Sequence, residues 1–128
     1  MTSASLDSDA KKFQPEPGKA SIYINRREAF IGAGNIVQTI MDGRIIGSLV
    51  PGTYQLINVS PGEHILTYTG QSDDTELTKV QAEQGKNYFF DFYVSTGWMA
   101  PHVNIKQITD EEGRKAVMSS KRAEISTY

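Results

Sequence analysis

His64 and His102 are the only histidines in the chain, and imidazole is the side chain best suited to bind zinc or move a proton near neutral pH. Two histidines are too few for a histidine-rich zinc site, and Glu63 is the one carboxylate beside either at ligand spacing. A histidine in an alternating strand is expected as a hydrogen-bonded surface group. Acyl transfer would need a serine on a strained elbow with a positioned histidine, and no Gly-x-Ser-x-Gly occurs. Gly32-Ala33-Gly34 has the small residues of a phosphate loop, but it opens onto a strand pattern with no helix dipole to receive phosphate, so it is read as a bulge or hairpin tip. Asp73, Asp74 and Glu76 lack the spaced oxygen ligands of a calcium loop and are read as a solvated acidic loop. No catalytic residue, cofactor or metal is expected.

Recognition chemistry has better candidates. Trp98 and Met99 beside Pro101 form a segment able to anchor a partner. Phe89 and Tyr93 put two aromatics on a nominally polar strand face. With His102 these residues make the candidate interaction surface. The competing reading folds Trp98 back over an open end of the domain and covers Phe89 and Tyr93 with a C-terminal helix; coverage by the helix is favoured for the strand aromatics. The alternative function is a small-ligand carrier or weak enzyme with an aromatic pocket around Tyr88, Tyr93, Trp98 and His102.

The elements that must position these groups are strands. Pro51-Gly52 and Pro61-Gly62 stand ten residues apart, each Pro presetting φ and each Gly accepting the positive φ of a type II turn. They bracket an alternating stretch that reads as a β-meander. Asp42-Gly43 is the strongest two-residue hairpin signal. Period-two alternation predicts strands over 20–26, 35–41, 44–49, 53–58, 63–69, 75–82, 87–94 and 102–108. Residues 87–94, the most apolar of them, are placed centrally. Thr109-Asp110-Glu111-Glu112 is a capping box opening a helix over about 110–121, with Gly113 weighing against it. Residues 1–19, rich in Ser, Asp and Pro, read as a tether, partly disordered or a short helix, with Phe13 the packing residue. Residues 20–128 then form a single domain: all-β, mainly antiparallel, a sandwich of about seven to eight strands with a short C-terminal helix.

Thirteen basic against fifteen acidic residues give no chain-wide field for nucleic acid or an anionic membrane. The absence of cysteine removes disulfides and thiol chemistry and leaves the compartment open. No apolar run approaches the ~20 residues of a spanning helix, and the opening MTSASLDSDAKKF lacks the basic and apolar regions of a secretory signal, so solubility is expected and membrane contact only through a lipid anchor that the chain does not carry.

PEPGKASIYINR, MDGRIIGSLVPGTYQLINVSPGEHILTY, EQGKNYFFDF and NIKQITDEEGRKAV, in that order, resemble the bacterial lipoprotein family catalogued as domain of unknown function 2846. The DG-x-x-x-G and PG-x-H order of the second segment is also similar to PEGA-type surface modules. The resemblance implies a non-catalytic lipoprotein-type β-sandwich of the cell envelope. Its location would be periplasmic or outer-membrane-associated, and its partner another envelope protein or a second copy paired through sheet edges. The family brings no catalytic residues to transfer.

Overall fold

The computed structural model describes residues 4–27, 37–69, 78–96 and 101–126, the side chains of 94–96 and 101–102 excepted. Its elements in chain order are α1 (Ala4–Ala10), β1 (Ala20–Arg26), β2 (Val37–Met41), β3 (Arg44–Leu49), β4 (Thr53–Val59), β5 (Gly62–Tyr68), β6 (Thr78–Ala82), β7 (Asn87–Thr96), β8 (Pro101–Ile108), α2 (Asp110–Met118) and β9 (Lys121–Arg122). β1 and β3 have the expected bounds. The short β9 and its pairing carried no sequence signal.

Asp42 at φ 53° and Gly43 at φ 81° close the β2–β3 hairpin with both central residues left-handed, the geometry that matches strand twist. Val50-Pro51-Gly52-Thr53 is the expected tight turn, with Gly52 at φ 81° and Thr53 N–H donating to the Val50 carbonyl at 3.3 Å. The strands form two sheets, one ordered β8-β7-β1-β4-β9 and the other β3-β2-β5-β6. They face each other as a sandwich.

The meander reading does not hold. β3 pairs with β2, β4 pairs with β1 in the opposite sheet, and β5 returns to pair with β2 and β6. Both Pro-Gly corners therefore carry the chain across the sandwich. The physical reason lies in β4, whose two faces are both apolar: Ile57 and Val59 point into the sandwich while Tyr54 and Leu56 point outward into a second cluster. Such a strand needs a sheet covered on both sides, and period-two alternation says nothing about which neighbour supplies the ladder. For the same reason β7 is not central. β1 is, every residue of it buried, antiparallel to β4 and parallel to β7.

Between the sheets lie Ile22, Ile24, Met41, Ile46, Leu49, Ile57, Leu66, Phe90 and Phe92, each at most 2 % exposed, each contributing roughly 1.5–3 kcal/mol. Polar bridges also cross this layer, among them the Thr39 hydroxyl donating to Gln55 Oε1 at 2.6 Å, both residues fully buried. This bond joins β2 to β4 and fixes how the sheets stack.

The outer face of the five-stranded sheet carries a second layer. Phe13, Tyr23 and Phe89 cluster with ring centroids 5.0 to 5.8 Å apart. α1 is held there by Tyr23 Oη donating to the Ala10 carbonyl at 2.7 Å and Tyr54 Oη donating to Asp7 Oδ1 at 2.5 Å. α2 begins as expected at Thr109, whose hydroxyl accepts from Glu112 N–H at 3.1 Å and donates to the Glu112 carboxylate at 3.0 Å. The helix ends at Met118 rather than near 121, because Lys121 turns into β9 beside β4. Gly113 helps α2 dock: a Cβ there would stand 2.1 Å from Phe89 Cγ.

Candidate functional site

Of the residues expected as an interaction surface, the two whose side chains are described, Phe89 and Tyr93, differ in exposure. Phe89 is 2 % exposed, beneath α2 and stacked on Tyr23, and is closed to a partner. Tyr93, four residues further along β7 and on the same face of an alternating strand, lies beyond that cover at 38 % exposure with Lys106 over its ring. Coverage by the helix is thus right for Phe89 and wrong for Tyr93. Trp98, Met99, the Gly32–Gly34 stretch and the acidic loop at 73–76 lie outside the described residues; of His102 only the β8 backbone is described, opposite Ser95. Of the expected aromatic pocket, the described side chains are Tyr88 and Tyr93, and they lie on opposite faces of β7. Tyr88 packs against the inter-sheet core with its hydroxyl accepting from Glu83 N–H, whereas Tyr93 points outward from the opposite face of β7.

His64 is the residue sequence reasoning underrated. It is 7 % exposed, with Nδ1 2.6 Å from Asp42 Oδ2 and Nε2 2.6 Å from the Ser60 carbonyl oxygen. Asp42 Oδ1 also accepts from Ile65 N–H at 2.8 Å. Burial disfavours the imidazolium, but the Asp42 carboxylate and the Ser60 carbonyl outweigh it and raise the pKa above the ordinary 6.5. With an oxygen acceptor at each nitrogen, the ring offers no lone pair to a metal and no open nitrogen to a substrate proton. His64, 22 residues beyond Asp42, ties the Asp-Gly hairpin to the Pro-Gly corner, the physical content of the DG and PG-x-H order.

A second polar assembly lies where β1 ends against α2. The buried Asn25 accepts from Ser120 Oγ at 2.8 Å. Beside Asn25 on the parallel neighbour strand stands Asp91, 3 % exposed, its Oδ2 bonded to Arg27 Nη2 at 2.5 Å and its Oδ1 buried with no hydrogen-bond partner among the described residues. Burial pushes this carboxyl above the usual aspartate range, against the pull of Arg27. In front of the pair opens a cleft of about 890 Å³ walled by the end of β1, the Val50–Thr53 turn, α2 and the start of β9. Arg27, Lys115, Lys121 and Glu112 line it with Asn25, Thr53, Ser119 and Ser120. The Ser119 hydroxyl is turned back onto the Ala116 carbonyl, and the Ser120 hydroxyl lies between that carbonyl and Asn25 Oδ1, so neither is poised as a nucleophile. Among the described residues no group of three or more His, Cys, Asp or Glu side chains could hold a metal ion. Among the described residues lining the cleft, none forms a nucleophile and base pair. No motif announced it, since Arg27 and Asp91 are 64 positions apart.

Comparison with known families decides the relationship. The family model described as "Protein of unknown function (DUF2846)" matches residues 16–105. The chain belongs to the DUF2846 family. A curated relative from Haemophilus influenzae, named only as an uncharacterized protein, is 31 % identical over 118 residues, covering 91 % of this chain and 69 % of that one. The DUF2846 match takes in Asp42, His64, Arg27, Asp91 and the Val50–Thr53 turn, and stops before α2. The cleft is therefore walled on one side by the DUF2846 segment and on the other by α2 and β9, which lie C-terminal to it.

Proposed function

We propose that this DUF2846 chain is a non-catalytic binding module of the bacterial cell envelope, of lipoprotein type, acting through its surface rather than through an enclosed reaction chamber. One observation carries the non-catalytic part. His64, the histidine whose side chain is described, has both ring nitrogens committed to Asp42 and Ser60, which leaves neither to draw a proton from an attacking group. A core filled by aliphatic and aromatic side chains supports the same reading. The envelope part is supported by the sequence resemblance to bacterial lipoprotein domains. The partner on this reading is another envelope protein, or a second copy added at a sheet edge; β6 and β8 end their sheets, whereas β3 receives a hydrogen bond from Ser126 N–H to the Ile46 carbonyl at 2.7 Å.

The test is fractionation of cells expressing the native gene with a C-terminal tag. Recovery with the periplasm or membranes is the expected result. Recovery in the cytosol overturns the envelope assignment, and turnover of an ester, phosphoester or glycoside substrate by the purified protein overturns the non-catalytic one.

A further inference from the structure

The chain carries a net charge of −2, yet the cleft between α2 and the β1–β4 end gathers three cations, Arg27, Lys115 and Lys121, against one lining carboxylate, Glu112. That carboxylate accepts from the Thr109 hydroxyl at the start of the helix. Among the described residues neither lysine is in an ion pair, and Asp91 is the one partner of Arg27. The Arg27 side chain is 61 % exposed while Asp91 is 5 % exposed. An exposed arginine is ordinarily a mobile point on the surface, and holding it still costs side-chain entropy. Here a buried carboxylate, one oxygen of which has no hydrogen bond among the described residues, grips one nitrogen of a guanidinium that carries five N–H donors in a rigid fork. Burying Asp91 in this way is unfavourable to stability. Its geometric effect is to hold the fork at the cleft wall, where planar donors match the paired oxygens of a carboxylate or phosphate.

We propose that this cleft is a binding site for an oxyanion group, a carboxylate or a phosphate, carried by a small ligand, with Arg27 as the primary contact, Lys115 and Lys121 as flanking cations, and Asp91 as the residue that positions Arg27. The proposal deepens the binding-module reading and rests on it. The two fail separately: a cytosolic location leaves the titration below untouched, and a null titration leaves the compartment untouched.

The experiment is an amide-resolved NMR titration of the full 128-residue chain at low ionic strength, with glycerol 3-phosphate in one arm and N-acetylalanine in the other. Saturable shifts at the amides of Gly52, Thr53, Ser119, Ser120 and Lys121 are expected in at least one arm, and the arm that saturates identifies the oxyanion. Arg27→Ala, at an exposed side chain, is expected to weaken the affinity by about tenfold or more. Lys121→Gln, on the opposite wall, should weaken it by a few fold. Asp91→Asn should weaken it by a few fold while the melting temperature holds or rises, since the Arg27 left behind is exposed and the buried anion is gone. Shifts that grow linearly without saturating, an absence of shifts in both arms, or an affinity unchanged in Arg27→Ala would each overturn the site.

Discussion

An oxygen at each nitrogen of an imidazole favours its protonated form, and His64 meets that condition between Asp42 and the Ser60 carbonyl. Because the folded-state pKa is raised above 6.5, the stabilisation is fully present below that value and is lost as pH rises through the folded pKa. Asp42→Asn keeps a left-handed-tolerant residue at φ 53° and an acceptor for Ile65 N–H, while removing the charge. It is expected to cost about 1–3 kcal/mol at acidic to neutral pH and to flatten the decline in stability toward alkaline pH. Urea denaturation of both chains across that range is the measurement, and an unchanged slope in the variant would remove His64 as its source. The order of Asp-Gly and Pro-Gly-x-His was legible in the sequence. That the two motifs touch was not, because nothing in either says which strands lie side by side.

At the scale of elements, α2 shows why propensity alone misleads. Gly113 weighs against a helix by about 1 kcal/mol relative to alanine, yet the helix closes over Phe89 at that position, with 2.1 Å between the ideal Cβ site and Phe89 Cγ. Gly113→Ala is therefore expected to destabilise the protein, by about 1–3 kcal/mol from overpacking, although an isolated helix would gain. Thermal or chemical denaturation of Gly113→Ala, Phe89→Leu and the double variant gives the coupling; a stabilised Gly113→Ala would show that α2 does not rest on Phe89. The Thr109 cap of α2 and the bounds of β1 and β3 could be read directly, since caps, turns and alternation are local chemistry. The partners of β4 could not, since they depend on Tyr54 and Leu56 finding cover from helices at both ends of the chain.

At the scale of the whole molecule the two ends clasp each other. Arg122 Nη1 donates to the Leu6 carbonyl at 2.9 Å, Lys11 Nζ to the Ser120 carbonyl at 2.7 Å, and Arg114 lies 5.0 Å over the Phe13 ring. Phe13→Ala is expected to cost about 1–3 kcal/mol, less than a fully buried phenylalanine, and to speed amide exchange in α1 and β9 together while β1 and β7 stay protected. Exchange that quickens in α1 alone would mean the ends are independent. By itself the sequence determined an all-β chain, the places where it turns, the cap of its last helix and which side chains share a strand face, because each is settled by residues within a few positions of one another. Only the tertiary structure decided that the Pro-Gly corners cross between sheets, that β1 is the middle strand, that His64 meets Asp42, and that Arg27, held by Asp91, shares one cleft with the lysines of the C-terminal segment. Those contacts join residues far apart in the chain, and the free energy that selects them comes from burying both faces of the central sheet at once.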